Sequence, residues 1–197
     1  KEEVFQIAKE IKKNFSEWKL LAISGRAKYI RKIADVLRKR KKEFSELMTT
    51  EMGKPIKQAY AEVEKCAWTA EVYSDNAEKW LADDVLQADG KRHFVTFEPL
   101  GVVLSIMPWN FPFWQAFRFA IPAMIAGNVS ILKHSNVVAG CALAIEEVFH
   151  DAGMNNVFKT IITDHDTTAE LIKSDYVNAV SLTGSVSAGQ KIASLAG

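Results

Sequence analysis

Residues 101–133, GVVLSIMPWNFPFWQAFRFAIPAMIAGNVSILK, contain the pattern that decides the fold. The apolar residues at 101–106 predict a strand, and two prolines bound the loop that follows it. Helical spacing over 113–126 predicts a helix, which a Gly-Asn pair ends, and the apolar run at 129–133 predicts a second strand. Two strands joined through a helix are typical of a parallel sheet, because parallel neighbours need a long crossover connection.

The same kind of pattern continues on both sides of this stretch. Further strands are predicted at 93–97, 158–162 and 177–182, and further helices at 138–151, 167–173 and 187–196. Short apolar strands that alternate with helices predict an α/β fold, in which a parallel sheet is covered by helices on both faces. Such sheets bind ligands at the carboxyl ends of their strands, so we expect a site in the loops after Ile106, Leu132 and Leu182.

The residues up to about Asp89 have a different character and are predicted to be helical. Apolar residues recur at helical spacing from Val4 onwards, and Gly53-Lys54-Pro55 interrupts the pattern. A long amphipathic helix is predicted at roughly 55–80. The basic cluster at 38–42 is interpreted as the solvated end of a helix, with a nucleic-acid-binding patch as the minor alternative.

The composition is that of an ordinary soluble globular protein and gives no reason to expect a nucleic-acid partner. Of the 197 residues, 25% are charged and 48% are hydrophobic, and the formal net charge is +1. The longest apolar-rich stretch, around 111–126, contains Gln115 and Arg118 and is too short to span a membrane comfortably. Because no signal peptide is recognised, we expect a cytoplasmic location and no membrane partner.

The two cysteines, Cys66 and Cys141, stand alone in helix-like stretches. Neither has the spacing of a metal-ligand set, so no metal site is predicted. Both are expected to be small buried hydrophobic residues, and so few cysteines are typical of a reducing compartment.

Residues 182–189, LTGSVSAG, place a glycine and a serine where a predicted strand turns into a helix. Free N–H groups at a helix N-terminus favour a phosphate, and Gly184 lets the backbone approach a ligand closely. Ser185 either caps the helix or donates to a phosphate oxygen. Taken alone, the stretch favours the cap, because turns of this kind are common.

Lys133 and Asn110 each have a structural and a functional interpretation of similar weight. Lys133 ends an apolar run, and its side chain either extends to solvent or meets the ribose or a phosphate of a nucleotide. Asn110 lies between Pro108 and Pro112, which hold the loop rigid and aim the amide. That amide either donates to an oxyanion or forms a hydrogen bond within its own turn.

Four motifs taken together resemble the aldehyde dehydrogenase superfamily in both order and spacing. They are Pro108-Trp109-Asn110-Phe111-Pro112, Ala126-Gly127-Asn128, Leu132-Lys133 and Leu182-Thr183-Gly184-Ser185. The stretch at 51–55, Glu-Met-Gly-Lys-Pro, is similar to the N-terminal helical region of the family. Within the family, residues 132–141 look most like the succinate-semialdehyde-type enzymes.

The resemblance implies a role for each matching residue. Asn110 would donate its side-chain amide to the oxyanion of a thiohemiacetal, next to a cleft that binds NAD or NADP. The cleft would be lined by Ile106, Met107, Pro108 and Trp109. The other implied cofactor-binding residues are Lys133 at the adenosine ribose, Ser135 and Asn136 beside it, Gly184 and Ser185 at the pyrophosphate, Ala188 near the adenine, and Gly189.

Two positions depart from the family's pattern. Many members that prefer NAD have a glutamate three residues after the lysine, whereas this chain has Asn136. A neutral residue does not repel a ribose 2′-phosphate, so the use of NADP, or of both cofactors, is favoured. The turn at 162–165 lacks the glycine that many members have there, so no cofactor contact is assigned to it.

The resemblance also divides the chain into parts. It implies an N-terminal helical part at 1–89 that packs on the cofactor domain, the start of an oligomerisation arm at 90–100, and a Rossmann-like NAD(P)-binding domain at 101–197. The nucleophilic cysteine and the general-base glutamate of the family come later in its sequence. We therefore expect these residues to be part of a longer polypeptide or to rest on another chain, with the last strand of the sheet missing.

The implied function is NAD(P)-dependent oxidation of a small aldehyde by a homodimer or homotetramer, with succinate semialdehyde as the candidate substrate. One alternative is a catalytically inert domain that only binds the cofactor or supports assembly. A second alternative is a relative that reduces acyl phosphates or thioesters on the same scaffold.

Overall fold

The computed structural model describes all residues from 1 to 197. Four helices come first, a two-stranded hairpin follows, and strands then alternate with helices. The helices are α1 (Glu2–Trp18), α2 (Ile23–Lys39), α3 (Lys41–Met52), α4 (Ile56–Trp80), α5 (Pro112–Ile125), α6 (Ala139–Asp151), α7 (His165–Ile172) and α8 (Val186–Ala196). The strands are β1 (Asp84–Leu86), β2 (His93–Val95), β3 (Val102–Met107), β4 (Val129–His134), β5 (Phe158–Ile161) and β6 (Ala179–Leu182), and one 3₁₀ turn covers Asn136–Val138.

A parallel four-stranded sheet in the order β5-β4-β3-β6 forms the centre of the second half. The register places Ile106 opposite both Lys133 and Leu182, so β3, β4 and β6 end at the same level. The first of these strands in the chain, β3, lies inside the sheet, and the strand order therefore reverses between β3 and β6. Open α/β sheets form their ligand-binding crevice where the order reverses. The predicted α/β class with a parallel sheet is confirmed.

The long helix predicted from residue 55 is α4. Gly53 has a φ angle of +73°, a left-handed conformation that glycine adopts without steric penalty, and it ends α3. Pro55 then precedes α4, whose buried residues, such as Ala59 and Val63, follow helical spacing. No helix in the chain combines the length and the apolar character that are needed to cross a bilayer.

The structure corrects the predicted secondary structure around the hairpin. Residues 84–86 lie in the part that was predicted to be helical, yet they form β1, which pairs antiparallel with β2. The second strand ends at Val95 rather than at 97. All three residues of β1 are exposed, so no alternation of buried and exposed positions marks the strand in the sequence. The predicted bounds of the other strands and helices agree with the structure to within two residues.

One hydrophobic core of 44 buried residues runs through the helices and the sheet alike. Five rings cross it in a row with neighbouring centroids 3.9 to 6.1 Å apart: Phe44, Phe113, Phe117, Phe149 and Phe158. Cys66 and Cys141 lie in this core without exposed surface, and burial raises the pKa of both thiols. Their predicted role as small buried residues is confirmed.

The basic cluster at 38–42 marks the junction of α2 and α3, and its arginines are paired with carboxylates. The Arg38 guanidinium lies 2.9 Å from Glu64 and 2.6 Å from Glu71. Arg40 contacts two carboxylates of α6. The cluster therefore contains the end of a helix, as predicted, and its arginines also join neighbouring helices.

Candidate functional site

A cavity of about 330 Å³ opens in the crevice at the carboxyl ends of β3, β4 and β6. Its walls come from the loops after these strands and from the first turns of α7 and α8. The structure brings together there most of the residues that were predicted to bind a cofactor: Ile106, Met107, Pro108, Lys133, Ser135, Asn136, Gly184 and Ala188. Trp109, Ser185 and Gly189 do not line this cavity.

A second cavity of about 450 Å³ continues from the first one, between α7 and α8. The residues common to both cavities form a neck between them, and they are Ile106, Lys133, His165, Leu182 and Ala188. The far wall of the second cavity contains the aliphatic side chains of Ile192 and Leu195. We call the two cavities together the cleft; it is an apolar slot at one end and has polar groups at the other.

Lys133 places a desolvated cation in the neck of the cleft. The residue is only 6% exposed, and burial lowers the pKa of its ammonium group, although the nearby carboxylate of Asp164 opposes the shift. It forms no ion pair with a carboxylate of the chain, in contrast to Arg38 and Arg40. The side chain is therefore mostly buried and borders both cavities of the cleft. A buried cation without a counterion favours an anionic or strongly polar ligand.

The N-terminus of α8 faces the same cavity through Gly184 and Ala188. The Ser185 hydroxyl accepts the N–H of Ala188 at 3.2 Å and is the N-cap of the helix. The capping interpretation of Ser185 is thus confirmed. A cap satisfies one of the free N–H groups of the first turn, and the remaining groups and the helix dipole still favour an anion at this end.

The Asn110 loop, residues 108–111, leads from β3 into α5. Pro108 lines the first cavity, whereas Trp109 and Asn110 are exposed beyond its rim. The start of α5, directly after this loop, is held by two side chains of other elements. His134 contacts the Pro112 carbonyl at 3.0 Å, and Glu62 accepts the N–H of a residue in the first turn of α5.

The buried imidazole of His134 connects the Asn110 loop to the loop after β4. Its Nδ1 atom accepts the N–H of Ser135 at 3.0 Å, so Nε2 carries the hydrogen and donates to the Pro112 carbonyl. The residue is 1% exposed, and burial lowers the pKa of the imidazole. Neutral His134 therefore fixes the spacing between two loops of the candidate site.

Sequence reasoning missed His165 as a wall of both cavities. No contact was assigned to 162–165, because these residues lack the glycine turn, and the helix after them was predicted to begin at 167. The structure begins α7 at His165, with Asp164 as its N-cap accepting the N–H of Thr167 at 2.7 Å. An Asp directly before a helical segment is a recognisable N-cap signal in a sequence. This signal would have started the helix at His165 and placed that residue at the edge of the sheet.

The chain is also similar to known proteins, and the similarity identifies its family. The chain matches the family model described as "Aldehyde dehydrogenase family" over residues 1–197. It is 48% identical over 183 residues to a probable succinate-semialdehyde dehydrogenase [NADP(+)] of a Synechocystis species, which is 92% of this chain and 40% of that protein. It is 41% identical over 184 residues to the succinate semialdehyde dehydrogenase [NAD(P)+] of Escherichia coli, which is 93% of this chain and 40% of that protein.

A solved structure shows the same backbone arrangement. Succinic semialdehyde dehydrogenase from Streptococcus pyogenes, in complex with NADP+ as the cofactor, superposes with a TM-score of 0.94 at 29% sequence identity, over 98% of this chain and 43% of that chain. The chain spans about 40% of the length of the curated relatives it matches. Because the family model matches all of its residues, the chain belongs to the aldehyde dehydrogenase family.

Proposed function

We propose that this chain is the dinucleotide-binding part of an aldehyde dehydrogenase that uses NADP, or both NADP and NAD. The observation that carries the proposal is the cleft, where the buried cation of Lys133 and the N-terminus of α8 face one cavity. A helix N-terminus and an unpaired ammonium group are suitable donors for the phosphates and ribose hydroxyls of a dinucleotide. The relatives named above as NADP(+) or NAD(P)+ enzymes support the same cofactor class.

The shape of the cleft suggests how the dinucleotide lies. The apolar slot between α7 and α8 accepts the adenine, and Lys133 and His165 at the neck face the ribose. Gly184 would let a pyrophosphate approach the first turn of α8, and Pro108 would border the nicotinamide end of the site. Asn136, three positions after Lys133, carries no negative charge, so a ribose 2′-phosphate meets no repulsion there.

The bound dinucleotide supplies the hydride acceptor, and the protein residues supply the environment for the aldehyde. Asn110 donates its amide N–H to the oxygen of the aldehyde as negative charge develops on it. Cys66 and Cys141 are unsuitable as the nucleophile, because both are completely buried and burial raises the pKa of both thiols. We therefore place the nucleophilic thiolate outside residues 1–197.

Succinate semialdehyde is the substrate that the relatives' names favour, and it carries a carboxylate. On the exposed side of α5, which begins next to Asn110, Arg118 follows Phe111 at helical spacing. Its guanidinium donates to the Thr183 hydroxyl at 3.3 Å and is paired with no carboxylate, unlike those of Arg31 and the basic cluster. Arg118 is therefore the cation that we propose for the carboxylate of the substrate.

Titration of the protein with NADPH and with NADH, followed by tryptophan fluorescence or calorimetry, tests the proposed cofactor site. We expect saturable binding of at least one of them, and Lys133→Met should weaken it at least about tenfold, because a charge-assisted contact is lost. Lys173→Met, which removes an exposed lysine at the end of α7, is the control and should bind as the wild type does. Absence of saturable binding in the wild type would exclude the proposed site.

The substrate proposal is tested in the enzyme that contains the thiol and the base. Arg118→Gln should raise KM for succinate semialdehyde at least about tenfold and leave KM for an uncharged aldehyde of similar length unchanged. Arg31→Gln, which breaks an exposed ion pair with Asp75, is the matched control. Equal effects of Arg118→Gln on both aldehydes would show that Arg118 does not bind the carboxylate.

A further inference from the structure

A buried ion pair lies beneath the Asn110 loop and outside the cleft. Lys54 and Glu62 are 5% and 4% exposed, and their charged groups contact each other directly. Lys54 comes from the break between α3 and α4, and Glu62 lies on the buried face of α4. Removing two charges from water is unfavourable unless their geometry and additional partners compensate for the lost hydration. The additional partners of this pair therefore indicate what it does.

Both additional partners belong to the segment that follows Asn110. Glu62 Oε1 accepts the N–H of Trp114 at 2.9 Å, within the first turn of α5. This contact satisfies one of the free N–H groups of the helix and places a negative charge at the positive end of its dipole. Lys54 Nζ lies 3.8 Å from the centroid of the Phe111 ring, a cation–π contact with the residue directly after Asn110.

No side chain next to the start of α5 caps the free N–H groups of its first turn. Phe111 is the N-cap residue of α5 and forms no side-chain cap hydrogen bond, and Pro112 has no N–H group to donate. The start of the helix is thus fixed by residues about fifty positions earlier in the chain. An apolar pair of the same volume would fill the space as stably, but it would provide neither an acceptor for Trp114 nor a cation for Phe111.

We propose that Lys54 and Glu62 are positioning residues that set the conformation of the Asn110 loop. The pair holds the chain at Phe111 and Trp114, which lie one and four residues after Asn110, while His134 holds Pro112 between them. The direction of the Asn110 amide follows from these three contacts. The consequence for an oxyanion rests on the proposed function, whereas the control of the loop conformation does not.

Hydrogen–deuterium exchange of the protein tests the control of the loop. In Glu62→Gln the ion pair is broken, and we expect the amides in peptides covering 108–116 to exchange about tenfold faster or more. Glu64→Gln is the matched control, because Glu64 lies on the same helix and pairs with Lys41 at the surface. It should change the exchange of 108–116 by less than about twofold. The proposal would be overturned if the amides of 108–116 exchanged in Glu62→Gln as slowly as in the wild type. It would also be overturned if the amides of α1 exchanged faster by the same factor as those of 108–116.

A double variant keeps the test valid if the single variant does not fold. Lys54→Met/Glu62→Gln removes both charges and leaves no unpaired buried ion, so it should fold. It should still show faster exchange at 108–116 than the wild type, because the cation at Phe111 and the charged acceptor at Trp114 are both lost. Full protection of 108–116 in the double variant would show that the pair does not position the loop.

A kinetic measurement separates positioning from general stability. In the enzyme that contains the thiol and the base, Glu62→Gln should lower kcat at least about tenfold and leave the affinity for the dinucleotide unchanged. Equal losses in both quantities would indicate general destabilisation and would contradict the proposal. A complete enzyme that oxidises no aldehyde would contradict the proposed function instead, and the exchange experiment would still decide the inference.

Discussion

At the scale of single residues, His134 is where the two loops of the site meet. Its ring accepts a hydrogen bond from Ser135 on one side and donates to Pro112 on the other. Burial lowers the pKa of the imidazole, and the hydrogen bond with the Pro112 carbonyl is the largest influence that opposes this shift. A second proton on the ring would break the contact with Ser135, because Nδ1 would no longer accept a hydrogen bond.

We expect His134 to make the protein less stable as the pH falls below about 6.5, the ordinary pKa of histidine. The folded-state pKa is lower than the unfolded one, so the unfolded chain binds more protons in the interval between them. The contribution of His134 is therefore complete above the unfolded pKa and is lost as the pH falls through the folded pKa. His134→Gln keeps a donor for Pro112 but does not titrate.

Urea unfolding of the wild type and of His134→Gln from about pH 7.5 to about pH 5.5 measures this effect. The difference between their free energies of unfolding should shrink at lower pH, by at most about 1.4 kcal/mol per pH unit. His150→Gln controls for the loss of an imidazole at an exposed position. A difference that stays constant across this range would contradict the expected linkage.

At the scale of helices and strands, carboxylates from the N-terminal helices fix the helices of the sheet half. Glu51 on α3 accepts the N–H groups of Gly140 and Cys141, both at 2.7 Å, in the first turn of α6. A Cβ atom at Gly140 would lie 2.8 Å from the Glu51 carboxylate, so a larger residue there would require the carboxylate to move. The turn before α6 contains Asn136, which lines the cleft, and Glu51 therefore supports the cofactor loop from outside.

Glu51→Gln should lower the free energy of unfolding by about 1 to 2 kcal/mol, because the cap loses its charge and one of its two acceptors. We also expect weaker binding of the dinucleotide, since the loop with Ser135 and Asn136 is less well fixed. Urea unfolding and an NADPH titration measure the two effects. Glu46→Gln on the same helix is the control, because Glu46 forms only a loose surface pair at 3.8 Å. A variant with unchanged stability would show that water replaces the cap.

At the scale of the whole molecule, the helical half and the sheet half share one core. The row of five phenylalanine rings passes from α3 through α5 and α6 to β5. Arg26 on α2 adds a polar connection, because its Nε donates to the carbonyl of Ile125 at the end of α5 at 2.7 Å. Packing in one half therefore affects the stability of the other half.

Phe149→Ala should lower the free energy of unfolding by about 3 to 5 kcal/mol. The ring has no exposed surface and stacks between Phe117 and Phe158, at centroid distances of 5.4 and 3.9 Å, so its removal leaves a cavity. Leu143→Ala on the same helix is the control, because Leu143 is 51% exposed and should change the stability by less than about 0.5 kcal/mol. The urea midpoints of both variants test this, and similar losses would contradict a specifically packed core.

Local sequence patterns were enough to predict most of the elements and the edge of the sheet at which the cleft opens. Apolar periodicity and the Gly and Pro residues between the elements predicted the α/β class, because these signals depend only on near neighbours. The parallel strands place their carboxyl ends together, so the loops containing Asn110, Lys133 and Gly184 were expected at one edge of the sheet. The burial of both cysteines also followed from their helix-like surroundings.

The tertiary structure decided what depends on contacts between distant residues. The caps on α5 and α6 join Glu62 to Trp114 and Glu51 to Gly140, which are 52 and 89 residues apart, so no local pattern could reveal them. The three exposed residues of β1 form a strand only because β2 pairs with them. The burial of Lys133 likewise follows from the packing of helices around the end of β4. A charge, a hydroxyl or an amide is visible in the sequence, but its partner and its hydration are set by the fold.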